Sequence, residues 1–370
     1  MLLYFWYGGV FMEYNWYIKE FKDKYKILQK LYKKETNENI KRKIKNTQRI
    51  IELCLTNELL PPDIATILEE DYIELTSSSY LWPYIKSIAK IHNEFVPNFS
   101  DDKANFSKDE IISLLHDFFK NGTNKDIYKL FCNIYENNKK NIHFIDSDEL
   151  LYAGEIIYLE YFNKTYIQIF KGYSFEDIST FAHEFGHAIQ FNLNYHDNLH
   201  DELRVYIEII SLFFELICLE YFKKSEYKDA SFKTSYFTLE EHLQNSKIVT
   251  GEFVLLDAIK IDKYENKLKL RSNIENLIKE LDIDLIRSIV NIRPSFNYIY
   301  SFSFLVATNL FMIYRKDPEK ALYIANNIIS LDGNLTGYFY LEELKKLNIV
   351  NPVKTKEYKE LIHKRCRKLK

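Results

Sequence analysis

Glycine and proline are scarce in this chain: nine and seven among 370 residues. So few turn-formers exclude an architecture of many tight turns and argue for long helices. Cysteine is scarce as well. Cys54, Cys132, Cys218 and Cys366 are scattered without a CxxC pair and read as reduced thiols of a cytoplasmic protein. Charge of one sign is lacking: the net charge of −3 gives no electrostatic case for nucleic acid or an anionic membrane surface. Long uncharged apolar runs are missing too, so no membrane span is expected. The opening MLLYFWYGGVF is only 11 residues long and has neither a basic start nor a clear cleavage site. Met12 can serve as the natural start. No internal repeat of fixed period is present.

What the chain does have is 46% hydrophobic and 28% charged residues, ordinary for a soluble globular protein. Its length suffices for a sizeable core, as one large domain or two closely joined ones.

The stretch Ser174 to Gln190, SFEDISTFAHEFGHAIQ, stands out. Ser174 followed three residues later by Asp177 resembles a capping box, with Asp in place of the usual Glu or Gln. At helical spacing Ile178, Phe181, Ala182, Phe185 and Ile189 form one apolar face. His183 and His187 fall on roughly the opposite side, flanked by Thr180 and Glu184. The helix is therefore expected to bury one face and aim both imidazoles into a cleft. His183-Glu184-Phe185-Gly186-His187 is an HExxH pattern, in which two histidines four apart hold zinc and the glutamate activates a water. A surface helix with two solvated histidines is the plain alternative.

Asp201 to Lys224, DELRVYIEIISLFFELICLEYFKK, is apolar on nearly every side from Leu203 to Phe222 and reads as a buried helix. Arg204, Glu208, Ser211 and Glu215 make one polar stripe along it. A buried carboxylate needs a cation, a donor network or water. An Arg204–Glu208 surface pair is one answer. A metal ion held by the two histidines is the better one, with Glu208 as its third ligand. Glu215, two turns on, is placed to accept a hydrogen bond from a ligand histidine, and Ser211 lies between. A metzincin needs glycine and histidine three and six residues after the second motif histidine; Gln190 and Leu193 stand there instead. His196 and His200, in the connecting loop, read as solvated.

FAHEFGHA, followed 21 residues after His187 by Glu208 in E-x-x-S-x-x-x-E, resembles the oligoendopeptidase F and thimet oligopeptidase family of zinc metallopeptidases. The resemblance runs from about Glu155 to the C-terminus. It implies a zinc-dependent metalloendopeptidase of oligopeptides, with one Zn²⁺ per chain on His183, His187 and Glu208, and Glu184 as general base. It also implies that NYIYSFSFLVA carries the tyrosine that steadies the oxyanion: Tyr300 fits best and Tyr298 next. In similar peptidases the strand before the HExxH helix is an exposed edge that aligns substrate as an added strand. That role falls to Tyr166 to Phe170, with Tyr166 and Gln168 as contacts.

Two departures stand against the likeness. The family's histidine before the catalytic tyrosine has no counterpart, since no histidine lies between His242 and His363; Arg293 is the nearest donor that could substitute. Only 182 residues precede His183, short for the part that roofs the family's cleft. A relaxed substrate length is expected, or a homodimer joined through the aromatic-rich segment from Phe5 to Tyr17. A non-enzymatic zinc protein that binds peptides or a partner is the competing reading.

The expected fold is mainly α: a zincin-like catalytic domain with a small β-hairpin or sheet beside the HExxH helix, inside a multi-helix architecture. Residues 1–107 form an N-terminal helical region and 108–370 the catalytic region. The lysine-rich faces within 13–60 read as solvated helix surfaces. EIIYLEYF and TYIQIF, within 155–170, read as a hairpin turning at Asn163-Lys164. Later breaks are expected near Gly251, Asn273 and Pro294, and most aromatics of Ser295 to Tyr314 are expected in the core.

Overall fold

The computed structural model describes residues 15–55, 79–90, 106–146, 154–171, 174–194, 204–258, 294–331 and 337–351. Within them the chain runs α1 (Asn15–Tyr32), α2 (Glu38–Leu55), α3 (Trp82–Ala89), α4 (Lys108–Gly122) and α5 (Lys125–Asn138). Strands β1 (Ile142–Asp146), β2 (Gly154–Leu159) and β3 (Lys164–Lys171) follow. The remaining helices are α6 (Phe175–Asn194), α7 (Arg204–Phe222), α8 (Lys228–Ala258), α9 (Pro294–Tyr314), α10 (Pro318–Ile329) and α11 (Gly337–Lys346). Among the described residues the fold is mainly α, with one small sheet. None of the described helices is long and apolar enough to cross a membrane.

Helices start where the sequence supplies a capping oxygen. Ser107 and Glu110 form a full capping box on α4, and the Asn124 side chain caps α5. Asp317 caps α10, with Pro318 in the first turn where its missing N–H costs nothing. At the start of α6 Ser174 Oγ accepts from Glu176 N at 3.2 Å, the second residue of the helix and not Asp177, the third, as the expected capping box would have it. Pro294 opens α9, whereas Gly251 lies inside α8 and breaks nothing. Asn273 lies outside the described residues.

The sheet has the order β1-β3-β2, with β1 parallel and β2 antiparallel to β3. The β2–β3 hairpin expected from the sequence is present, but not with its turn at Asn163-Lys164: β2 ends at Leu159, a 3-10 turn over Glu160–Phe162 ends at Asn163 with φ 47°, and Lys164 already belongs to β3. Alternation divides the hairpin's side chains between two cores. Ile156, Tyr158, Ile167 and Ile169 join the large core with α6. Ile157, Leu159 and Tyr166 join a smaller core with Tyr17, Phe21 and Leu28 of α1 and Ile44, Ile51 and Cys54 of α2. Polar contacts pin that second layer: Tyr166 OH donates to Glu20 at 2.6 Å, Tyr161 N donates to Thr47 Oγ1 at 3.0 Å, and Lys43 pairs with Glu160 at 2.9 Å. Leu81, Ile85 and Ile88 belong to the large core, so that core crosses the division expected at residues 107 and 108.

The order of the sheet corrects one expectation. β3 lies in the centre, bonded on both sides, and offers no edge to a substrate. The edges belong to β1 and β2.

Helix α7 is the axis of the large core, packed between α6 and α9. Helix α6 also differs from its sequence reading, because every residue from Phe181 to Ile189 is buried, the histidine side included. Gly186 lets α6 and α7 meet. A Cβ placed there would lie 2.6 Å from Ser211 Cα and 3.1 Å from Ser211 N, both backbone atoms that cannot swing away. Gly186→Ala should therefore destabilise the protein by about 1–3 kcal/mol, the usual scale of overpacking. Denaturant midpoints of the two proteins check this; an unchanged midpoint would mean that the helices separate at no cost.

Candidate metal centre

The crossing of α6 over α7 sets three side chains on one point. Glu208 Oε2 lies 3.2 Å from His183 Nε2 and 3.1 Å from His187 Nε2. All three residues are buried, and their ligand atoms lie within 4.8 Å of one another, close enough to share one metal ion. Ser211 Oγ donates to Glu208, to its backbone O at 3.0 Å and to Oε2 at 3.2 Å. Behind His183, Glu215 Oε2 lies 3.2 Å from Nδ1, and Glu215 Oε1 accepts from Thr238 Oγ1 at 3.2 Å.

The donor set fits a cation. Glu215, as a carboxylate, can only accept, so His183 presents Nδ1–H to it. A neutral ring then has only a lone pair at Nε2, facing another carboxylate oxygen at 3.2 Å. Lone pair against lone pair is repulsive unless a proton or a metal lies between them. The titration of His183 expresses the same demand. Burial pulls its pKa down, yet the hydrogen bonds to Glu208 and Glu215 carry it up to about 10. Burial works against the Glu208 carboxylate too, but the two histidines hold it well below the usual range. A positive charge satisfies all three groups.

Glu184 is buried on the same helix, and burial raises its carboxyl to about 8 against the pull of His183, with Glu208, Glu155 and Glu215 adding to the rise. Gly154, the first residue of β2, makes room for it: a Cβ there would lie 2.8 Å from Glu184 Oε1. The expected peptide contacts on β3 lie elsewhere. Tyr166 belongs to the core under α1 and α2, and Gln168 is buried with its amide donating to Glu155 at 2.9 Å. Both point away from α6 because they alternate with Ile167 and Ile169.

Tyr300, on α9, is half-buried, and burial pushes its hydroxyl pKa far up. Its ring lies nearly parallel to that of His242, 6.0 Å away, and His242 stacks on Phe304 at 4.4 Å. His242 therefore stands beside Tyr300 although it precedes it by 58 positions. Sequence reasoning passed over His242, Thr238 and Gly154. The first two sit one turn apart on α8, where no periodic signal marks them. The side chains of Tyr298 and Arg204, and Arg293, His196, His200 and the segment before Asn15, lie outside the described residues.

Similar solved structures share this architecture. One, provisionally named oligoendopeptidase F, superposes with a TM-score of 0.50 at 15% identity, over 95% of this chain and 66% of its own. The fold is that of this provisionally named oligoendopeptidase F. A second structure of that provisional name, from Bacillus anthracis str. Ames, gives 0.48 at 15% identity over 95% and 61%; a provisionally named peptidase from Chlamydophila abortus gives 0.49 at 14% over 95% and 62%. The chain thus spans less than two thirds of the length of these solved chains. No family model matches the sequence, and no curated protein matches it.

A ligand that binds only the folded state stabilises it by mass action. Zinc added to chelator-treated protein should raise the thermal midpoint. Glu208→Ala should abolish the rise, while His196→Ala and His200→Ala keep it. If either loop variant loses the rise, the ligand set named above is wrong.

Proposed function

We propose that the protein is a zinc-dependent endopeptidase of oligopeptides. The observation that carries this reading is the convergence of His183 Nε2, His187 Nε2 and Glu208 Oε2 beside a buried Glu184. His183, His187 and Glu208 would hold the zinc, consistent with a His₂Glu donor set that leaves a position open. When bound, zinc supplies Lewis-acid polarisation of the scissile carbonyl and a lowered pKa for the attacking water.

The protein's own groups do the rest. Glu184 takes the proton of the attacking water at its carboxylate and delivers it to the leaving amine nitrogen. Glu215 keeps the proton of His183 on Nδ1, so that Nε2 stays free to ligate. Tyr300 donates to the developing oxyanion, with Tyr298 or Arg293 as further donors. Of the two edge strands β2 touches Glu184, so the backbone-aligning role proposed for β3 passes to β2. We place the protein in the cytoplasm, with residues 108–370 as its catalytic region.

The reading is tested by metal analysis of the purified protein together with cleavage of quenched peptides, with and without chelator. Stoichiometric zinc and chelator-sensitive cleavage are expected. Zinc without turnover would favour the non-enzymatic alternative, a zinc protein that binds peptides or a partner. Glu184→Gln should retain the metal while losing turnover by several orders of magnitude. Near-wild-type cleavage by that zinc-loaded variant would eliminate Glu184 as the base.

A further inference from the structure

The hydrogen bond from Thr238 to Glu215 joins a third helix to the centre. His183 belongs to α6, Glu215 to α7 and Thr238 to α8, and the three side chains form one chain of contacts: Nδ1 to Oε2 at 3.2 Å, then Oε1 to Oγ1 at 3.2 Å. We propose that Thr238 is a positioning residue of the metal centre, which fixes the plane of the Glu215 carboxylate and through it the orientation of the His183 ring. This inference rests on the zinc reading above and adds a residue to it.

The physical need is specific. The last torsion of a glutamate side chain is broad and nearly two-fold, so one hydrogen bond leaves the carboxylate free to rock about it. A second bond, to the other oxygen, removes that freedom. Threonine suits the task because its branched Cβ restricts χ1, and here its hydroxyl reaches across to Glu215. Glu215 also sits among like charges. The carboxyls of Glu176, at the start of α6, and Glu241, on α8, are both pushed up, by desolvation first and by the Glu215 charge next. A carboxylate that is 15% exposed has room to turn toward solvent unless a second bond holds it. Such a swing would release Nδ1 of His183.

The test measures zinc dissociation constants by competition with a chromophoric chelator, on the full chain. Thr238→Val removes the hydroxyl at nearly constant shape and should weaken zinc about tenfold, the lower end of what partners of metal ligands contribute. Thr238→Ser, which keeps the oxygen, should recover most of that loss. In a Glu215→Ala background Thr238→Val should have no further effect, because the two residues act in series. The thermal midpoint of zinc-free Thr238→Val should match the parent. If Thr238→Val does not fold, Thr238→Ala is read in the same way. Wild-type affinity in the valine variant, or an equal loss with and without Glu215, overturns the proposal. The peptidase reading fails differently: absence of cleavage by the zinc-loaded parent sinks it and leaves the affinity series intact.

Discussion

The approach of α6 to α7 at Gly186 and Ser211 is the contact on which the centre depends. A glycine on one helix removes the atom that would hold the backbones apart, and Ser211 Cα fills the space. The site residues bracket that point. His183 and His187 stand on either side of Gly186, and Glu208 and Glu215 on either side of Ser211. Once the helices touch there, His183 must lie between two carboxylates, and its two ring nitrogens face one each. Any residue larger than glycine would push the rows apart by a sizeable fraction of an ångström at the least. Hydrogen bonds weaken over such shifts, and metal ligation tolerates them still less.

That proximity creates an electrostatic problem as well as a site. Two carboxylates and two imidazoles withdrawn from water are stable only if the charges pair and the remaining donors and acceptors are met. Protonation of His183 pairs some of them. It leaves His187 Nδ1 with no partner among the described residues, held instead by packing against Phe191, whose ring lies nearly parallel at 5.7 Å. The surrounding core accepts this arrangement because α7 is apolar elsewhere, with Phe213, Phe214 and Ile217 fully buried around the polar stripe. Packing energy from that core supports a cluster that on its own would favour hydration.

Much of this was legible from residue spacing. The HExxH pattern and the stripe Glu208, Ser211, Glu215 are short-range features, so helical periodicity alone brings each set onto one face. The β2–β3 hairpin was legible for the same reason. What spacing could not reveal is which elements become neighbours. β1 pairs with β3 in parallel, a contact that no turn announces, and it moves β3 from the edge to the centre. Thr238 and His242 are ordinary residues on a long helix until α8 is laid beside α7 and α9. The one-sided reading of α6 failed because amphipathicity measures polarity, and here the polar side is buried against other polar groups.

The placement of α1 and α2 shows what the early part of the chain supports. Their core partners, Ile157, Leu159 and Tyr166, are the strand side chains that alternate away from α6. A side chain on that face of the sheet cannot also reach the metal ligands, so the first two helices brace the sheet from behind. Their influence on the centre runs through the strands. Tyr166 and Glu160 are tied to α1 and α2, the hairpin carries Gly154 at its far end, and Gly154 backs directly onto the Glu184 carboxylate. Glu184, the base of the proposed mechanism, thus leans on a backbone whose position is set about two layers away. In the mechanism proposed above, that rigidity sets the alignment of the base, and a displacement of about 1 Å is costly.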